Sequence, residues 1–212
     1  MKLLAVDTAL GACSVAILDG DDVLAHVFAP MERGHAEALA PMVEDAMRDA
    51  ALGFAALDRL AVTTGPGTFT GQRVGLAFMR GLRVALHKPL LGVTTLAAMG
   101  RQAEAETGLA AYAALHDARR DEVYLQTTGM DDPVLLGFED ALQAILRLDG
   151  RFALAGTAAP MAATRLPNGV LSTVRQPDAL WVARLARAMP DSDVPPRPLY
   201  LRAPDAKLPA PR

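Results

Sequence analysis

The chain has 212 residues, 51% of them hydrophobic and 5% aromatic, which allows one large domain or two small ones with a core built mainly of alanine, leucine and valine. Its 24 acidic residues outnumber its 21 basic ones, so we expect no strong binding of nucleic acid by this chain alone. The single cysteine, Cys13, excludes an internal disulfide, and the lack of a signal peptide or of an 18-residue apolar run predicts a cytoplasmic protein with no membrane span.

The first 30 residues predict an antiparallel meander of three strands. Apolar runs indicate strands from Lys2 to Val6, from Cys13 to Leu18 and from Val23 to Phe28. Asp19 and Gly20 are typical of a tight hairpin, because both tolerate a positive φ.

A helix is predicted next, from His35 to Ala50. Its apolar residues recur at helical spacing on one side, and its charged residues fall on the other. Pro41 interrupts this pattern, so we expect a kink or a restart there.

A glycine-rich turn is the most informative segment of the chain. A strand predicted from Leu60 to Thr64 leads into the turn Gly65–Gly71, and a helix predicted from Thr70 to His87 follows. This order of elements can aim backbone N–H groups at an anion. The turn is not a P-loop, because Gln72 and Arg73 follow its last glycine where that loop needs Lys and then Ser or Thr, and its spacing is not GxGxxG. The residues alone leave a plain tight turn and an anion-binding turn as alternatives.

The helix from Thr70 to His87 is apolar over most of its circumference, which is typical of a buried helix or of a helix at an interface. Gly71, Gly75 and Gly81 each cost about 1 kcal/mol relative to alanine in a helix interior, and close approach of another backbone is the expected compensation. With the helix from His35 it forms a predicted contact surface between chains; the alternative is that both helices only cover the sheet. The predicted partner-interface residues are Leu39, Met42, Gly71, Arg73, Val74, Gly75, Phe78 and Leu82.

The rest of the chain continues to alternate between strands and helices. We expect a helix capped by Thr94 or Thr95, a polar hairpin turn at Asp117–Asp121 with solvated arginines, and an extended tail from residue 190 that holds seven prolines. The other predicted strands are Leu90–Val93, Ala111–Leu115, Glu122–Thr127 and Phe152–Ala155, and the other predicted helices are Glu139–Leu148 and Asp178–Met189. Two halves of this kind indicate a duplicated α/β architecture, which we divide into subdomains 1–98 and 99–212.

Four motifs in order resemble the TsaB (YeaZ) family, and the resemblance runs from Lys2 to Arg202. Asp7-Thr8-Ala9, followed by Ala12–Ala16, looks like the opening hairpin of the actin/Hsp70-like ATPase superfold. The other three motifs are Gly65–Gly71 with Arg73–Ala77, Asp117–Tyr124 and Pro198–Arg202. The resemblance implies an α/β fold of duplicated ribonuclease-H-like units, the second of them reduced.

The resemblance also implies a function. TsaB is regarded as the non-catalytic scaffold of TsaD, which transfers a threonylcarbamoyl group to the adenosine 3′ of the anticodon in tRNAs that read codons beginning with A. The implied partners are a TsaD-like catalytic paralogue, a TsaE-like ATPase and, when the chain is alone, a second copy of itself; tRNA is reached only through the complex. The alternatives are a stand-alone ATP-binding enzyme and a metallopeptidase-like protein of the same superfold.

The residues argue against the metallopeptidase. The catalytic paralogue carries an HxxxH metal site after its glycine-rich helix, and in this chain Thr95 and Met99 stand at those positions. The four histidines here contain no i, i+4 pair. The sequence therefore predicts neither metal ligands nor catalytic residues.

Nucleotide binding rests on the first hairpin. Asp7 and Thr8 are candidates for contact with phosphate, and an aspartate there could hold Mg²⁺ through water. The glycine pair expected for an adenosine is represented only by the degenerate Gly156–Ala159. We therefore expect no cofactor to be required by this chain, with ATP or ADP and Mg²⁺ at the interface with the paralogue as the favoured nucleotide site.

Overall fold

The computed structural model describes residues 1–202, which contain two halves of the same design. The first half holds five strands and three helices: β1 Lys2–Asp7, β2 Ala12–Asp19, β3 Asp22–Pro30, α1 His35–Asp49, β4 Arg59–Gly65, α2 Phe69–Leu86, β5 Leu90–Thr94 and α3 Thr95–Thr107. The second half holds β6 Tyr112–Arg119, β7 Glu122–Thr127, β8 Val134–Gly137, α4 Phe138–Ile145, β9 Phe152–Ala155, α5 Ala159–Ala163, β10 Gly169–Leu171 and α6 Ala179–Ala188.

The two sheets have the same topology. The first is ordered β3-β2-β1-β4-β5 and the second, read in the same sense, β8-β7-β6-β9-β10. In each sheet three antiparallel strands are followed by two that pair in parallel with their neighbours. The predicted duplication is therefore confirmed. The second half is the reduced one, since α4 has 8 residues against 15 in α1, and α5 has 5 against 18 in α2.

Helices cover both faces of each sheet, and each half lends one helix to the other. Side chains alternate along β1, so Leu4 and Val6 pack under α1 and α2 while Leu3 and Ala5 face α6. Helix α3 packs on the second sheet, and α4 and α5 cover that sheet's outer face. The boundary predicted between residues 98 and 99 falls within α3, so the halves are divided by their sheets and not at one point in the chain.

A kink or a restart was predicted at Pro41; helix α1 runs through that residue without a break, so the restart does not occur. Pro41 and Glu37, whose carbonyl loses its partner because proline has no N–H, both lie on the exposed side of the helix. Water can satisfy that carbonyl, which is why the proline is tolerated.

Three short elements of the second half were not predicted: β8, α5 and β10. The predicted strand and helix bounds elsewhere agree with the structure to within a few residues, except that β6 continues to Arg119 and leaves only Arg120 and Asp121 as the turn. None of the helices in residues 1–202 has the length and hydropathy of a membrane span.

Residues 190–202, which we call the strap, form neither helix nor strand, as expected for the proline-rich tail. The strap leaves α6 beside the buried Arg59, whose Nη1 donates to the Ala186 and Met189 carbonyls 2.8 and 2.9 Å away. It then passes the edge strand β5, where Pro196 packs against Gly92. The part of the predicted tail after residue 202 lies outside the described residues.

Candidate functional site

Asp7 ends β1 at the position where the fold would present a phosphate-binding hairpin. Its side chain is fully buried. One oxygen, Oδ1, accepts hydrogen bonds from Thr63 Oγ1 at 2.6 Å and from the Ala9 N–H at 3.2 Å, while Oδ2 is buried with no hydrogen-bond partner in residues 1–202. Burial raises the pKa of Asp7 to about 7, and these two hydrogen bonds only partly offset that effect.

Thr8 joins the β1–β2 turn to helix α2. Its Oγ1 donates to the Gly71 carbonyl at 2.7 Å and accepts from the Gly75 N–H at 3.0 Å. Residues 71 and 75 are i, i+4 partners in an α-helix, so the hydroxyl bridges one rung of the helical ladder. Both hydrogen-bonding functions of Thr8 are thereby used within the chain.

The glycines at the start of α2 make room for this turn. A Cβ on Gly71 would overlap the Thr8 carbonyl oxygen, one on Gly67 would overlap the Ala9 carbonyl oxygen, and one on Gly75 would lie 2.7 Å from Thr8 Oγ1. The predicted close approach of a backbone is therefore confirmed, but that backbone belongs to the same chain. The prediction that Gly71 and Gly75 let a helix of another chain approach is wrong.

These contacts decide between the two readings of the glycine-rich turn. The Thr68 N–H donates to the Ala9 carbonyl at 2.9 Å, so the turn closes directly over the β1–β2 turn. Asp7 and Thr8 are 0% and 1% exposed. The residues around Asp7 do not fit a phosphate with bound Mg²⁺, because the helix and the turn fill the space that the phosphate would need.

The matching hairpin of the second half is open instead. Arg119, Arg120 and Asp121 at the β6–β7 turn have φ of 64°, 59° and 59°, a left-handed conformation that non-glycine residues rarely adopt in succession. This hairpin forms one wall of a cavity of about 900 Å³, and α4 and α5 form the others. Gly156 packs so tightly on the Leu115 carbonyl that a Cβ there would overlap it, which gives this glycine a packing role.

The predicted interface residues separate into buried and exposed groups. Leu39, Gly71 and Gly75 are buried within the chain, and Arg73 is exposed. The remaining four are half-buried against the core under α1 and α2: Met42, Val74, Phe78 and Leu82. The sequence therefore placed the helices correctly on the surface, but it did not identify which residues face outward.

The outward face of α2 carries a row of small residues, none of which was among the predicted interface residues. Ala77, Gly81 and Ala85, spaced four apart, are all exposed, and within residues 1–202 no atom outside the helix's own backbone lies within 4 Å of a Cβ built on Gly81. Val84 beside them is 67% exposed. We call these four residues the α2 stripe. The i, i+4, i+8 spacing of two alanines and a glycine was the signal available in the sequence.

The two outer helices differ in charge. Helix α1 contains four carboxylates and one arginine, whereas α2 contains three arginines and no carboxylate. The surface they form together is therefore acidic on one side and basic on the other.

The positions that correspond to the paralogue's metal ligands serve packing. Thr95 Oγ1 donates to the Pro66 carbonyl at 2.5 Å, and Met99 is fully buried. Two histidines are hydrogen-bonded: His26 Nε2 lies 2.8 Å from Asp178 Oδ1, and His35 Nε2 donates to the Leu10 carbonyl at 3.0 Å. Within residues 1–202, no group of three or more His, Cys, Asp or Glu side chains is placed to hold a metal ion.

Comparisons with known proteins show to which family this chain belongs. The model of the TsaD family, described as tRNA N6-adenosine threonylcarbamoyltransferase, matches residues 22–143, more than half of the chain. A solved structure described as YeaZ from Pseudomonas aeruginosa is 32% identical, with a TM-score of 0.76 and coverage of 88% of this chain and 90% of that one. The chain belongs to the TsaB (YeaZ) family.

Other relatives agree. TsaB of Escherichia coli (strain K12), described as a tRNA threonylcarbamoyladenosine biosynthesis protein, is 39% identical over 124 residues, which are 58% of this chain and 53% of that protein. The match thus spans about half the length of this curated TsaB relative. An uncharacterized protein of Mycobacterium tuberculosis (strain H37Rv) is 37% identical over 97% of this chain and 93% of its own length.

More distant structures confirm the actin/Hsp70-like ATPase superfold. The ethanolamine utilization protein EutJ of Carboxydothermus hydrogenoformans has a TM-score of 0.53 at 11% identity, covering 87% of this chain and 88% of its own. At that identity the likeness concerns the fold alone.

Proposed function

We propose that this chain is a non-catalytic subunit that binds and activates a TsaD-type threonylcarbamoyl transferase, with the α2 stripe and the neighbouring surface of α1 as its docking face. Two comparisons support the choice of partner: relatives named TsaB are described as threonylcarbamoyladenosine biosynthesis proteins, and the matching family model is that of the transferase. The docking face is argued from the structure.

Gly81 is the observation that carries this proposal. A glycine in the middle of an exposed helix costs about 1 kcal/mol relative to alanine. Unlike Gly71 and Gly75, it has no neighbour in the described chain that a side chain would disturb. Together with Ala77 and Ala85 it makes a strip without bulky side chains, along which another helix can approach α2 closely.

The charge difference between α1 and α2 fits a partner of the same fold. A two-fold arrangement of two such helix pairs can place the acidic α1 of one chain next to the basic α2 of the other. This arrangement suits a homodimer of this chain, and it suits a paralogue whose two matching helices carry the same charges. The same face then serves both associations in turn.

On this proposal the chain itself catalyses no step of the reaction. It stabilises the competent state of the transferase by binding that state preferentially, which is a shift of populations. Because Asp7 and Thr8 are sealed, we assign ATP or ADP with Mg²⁺ to the interface with the transferase and assign no cofactor to this chain itself. A TsaE-like ATPase joins the same cytoplasmic complex, and tRNA is reached only through that complex.

The test is the affinity of the purified chain for the TsaD-like protein of the same organism, measured by calorimetry. Ala77→Glu puts a charged side chain on the stripe, and Ala105→Glu is a matched control on the exposed side of α3, because each position has an arginine four residues earlier. We expect wild type and Ala105→Glu to bind equally, and Ala77→Glu to lose at least 100-fold in affinity while its circular dichroism and thermal unfolding stay unchanged. Equal binding by all three proteins would exclude the stripe as the docking face.

A further inference from the structure

The C-terminal motif Pro198–Arg202 brings three separate parts of the molecule together. The Leu199 N–H donates to the Thr64 carbonyl at 2.8 Å, at the end of β4. Arg202 Nη1 donates to the Ala118 carbonyl at 2.8 Å, and its Nη2 pairs with the Glu122 carboxylate, so the strap also grips the β6–β7 hairpin of the second half. Between these two anchors, Tyr200 is held against the first turn of α2.

Tyr200 there completes a cluster with Phe69 and Arg73, which we call the aromatic–arginine cluster. The two rings stack with centroids 5.6 Å apart. The Arg73 guanidinium carbon lies 3.4 Å from the Phe69 ring centroid, and its Nε donates to Tyr200 Oη at 2.9 Å. Phe69 and Tyr200 nevertheless remain 55% and 44% exposed, so the cluster is ordered and also open to solvent.

Arg73 differs from the other two arginines of α2 in what its guanidinium binds. Arg80 Nη2 donates to the Pro196 carbonyl at 2.5 Å, and Arg83 Nη2 donates to the Asp193 carbonyl at 2.8 Å, so both help to hold the strap. Only Nε of Arg73 is bonded within the described residues, and Arg73 forms no ion pair there. Its two Nη groups are presented side by side, in the geometry that receives both oxygens of a carboxylate.

We propose that the aromatic–arginine cluster is a second docking point for the TsaD-like partner, one that binds a carboxylate side chain flanked by an apolar residue. This inference rests on the proposed function. Arg73 lies one turn before Ala77, so the cluster continues the α2 stripe toward the start of the helix. The rings cover the apolar neighbour while the guanidinium edge binds the acid, and tyrosine and arginine are the residue types most often found to dominate binding at interfaces.

A protein carboxylate fits better than an RNA phosphate. The cluster adjoins an uncharged strip that includes the exposed Val84, and this is unlike the extended basic surface that RNA binding needs. Arg80 and Arg83 donate to carbonyls of the strap, so within the described residues Arg73 is the arginine of α2 that stacks in the cluster.

The test is calorimetric binding of the TsaD-like protein to Arg73→Lys, which keeps the charge but loses the planar fork, and to Tyr200→Ala. Arg184→Lys is the matched control, because Arg184 also stacks on an aromatic ring, that of Trp181 on α6, with 4.5 Å from the guanidinium carbon to the ring centroid. We expect Arg73→Lys and Tyr200→Ala each to weaken binding about tenfold, with the salt dependence of affinity unchanged in Arg73→Lys because the charge is kept, and Arg184→Lys to bind as wild type does.

The outcomes separate this inference from the proposed function. If wild type binds and Ala77→Glu does not, but both cluster variants bind within twofold of wild type, the second docking point is wrong and the proposed function stands. If wild type itself does not bind the transferase, the proposed function fails first. If the cluster variants lose binding to tRNA and keep binding to the transferase, the occupant is RNA and the inference is overturned.

Discussion

The two halves share one topology but differ at the turn between their first two strands, which is covered in the first half and open in the second. In the first half, an 18-residue α2 lies on the β1–β2 turn and seals it through Gly71 and Gly75. In the second half the corresponding α5 has five residues, and the β6–β7 hairpin borders a cavity of about 900 Å³. The turn that holds Asp7 is thus closed by α2, and the same helix carries the exposed stripe.

The closed turn has a structural role, which is to position α2. The Thr8 hydroxyl bonds to both Gly71 and Gly75, so the β1–β2 turn fixes the position of the helix. Gly71 and Gly75 serve that internal contact, and the opposite face of the same helix is exposed.

Gly71→Ala should have the largest effect. A Cβ at this position overlaps the Thr8 carbonyl oxygen, which is rigid backbone, so α2 must move away from the turn and the Thr8 hydrogen bonds are lost. We expect a loss of about 5 kcal/mol in the free energy of unfolding, or failure to fold. Urea denaturation measures this, and a loss below about 1 kcal/mol would show that α2 does not seal the turn.

Asp7→Asn should change the pH dependence of stability in the first half. Because burial raises the pKa of Asp7 from 3.8 to about 7, the folded state holds this proton more tightly than the unfolded state does. Protonated Asp7 therefore contributes to the free energy of unfolding at low pH, and this contribution is lost as pH rises through 7. The loss is about 4 kcal/mol, at about 1.4 kcal/mol per pKa unit.

Urea denaturation of Asp7→Asn between pH 4 and pH 8 checks this. The variant should lack that loss, whereas Asp132→Asn, at an exposed site, should keep the slope of wild type. A wild-type stability that does not differ from that of Asp7→Asn in its pH dependence would contradict the burial of this carboxyl.

His116→Phe should act in the opposite direction in the second half. Burial lowers the pKa of His116 to about 4, and its Nδ1 has no partner in the described chain. The stability from the neutral ring is present above pH 6.5 and is lost as pH falls toward 4, which amounts to about 3 kcal/mol. Denaturation at pH 7 and pH 4.5 should show a smaller acid loss for His116→Phe, and His87→Asn, at an exposed site, should leave that loss unchanged.

Gly81→Ala should have the smallest effect on stability and should have the opposite sign to Gly71→Ala. In the described part of the chain no tertiary neighbour lies within 4 Å of a Cβ at Gly81, so the change should stabilise α2 by about 1 kcal/mol. The larger Gly81→Leu should fold equally well and lose affinity for the partner. Destabilisation by Gly81→Ala would show that this glycine has an internal contact and that the two faces of α2 are not distinct.

The sequence predicted the regular elements of the first half because its runs are long and its turns are marked by glycine or aspartate. It could not predict β8 and β10, whose four and three residues are strands only because of their neighbours in the sheet. Helical periodicity predicted that α2 lies at the surface, but it did not predict which side of α2 faces the core. Gly71 and Gly81 are both glycines within an apolar helix, and they differ only in their tertiary contacts. The strap was expected to be extended, but its anchors, Thr64, Arg73 and Glu122, are distant in sequence and leave no local pattern.

Docking to the transferase through the α2 stripe is tested most directly by size-exclusion chromatography with light scattering. The samples are wild type and Ala77→Glu, each alone and each mixed with the TsaD-like protein of the same organism. We expect a single heteromeric peak for the wild-type mixture and two separate peaks for the mixture with Ala77→Glu, although that variant alone remains folded. Two separate peaks for the wild-type mixture would contradict the proposed scaffold, and a heteromeric peak with Ala77→Glu would contradict docking through the α2 stripe.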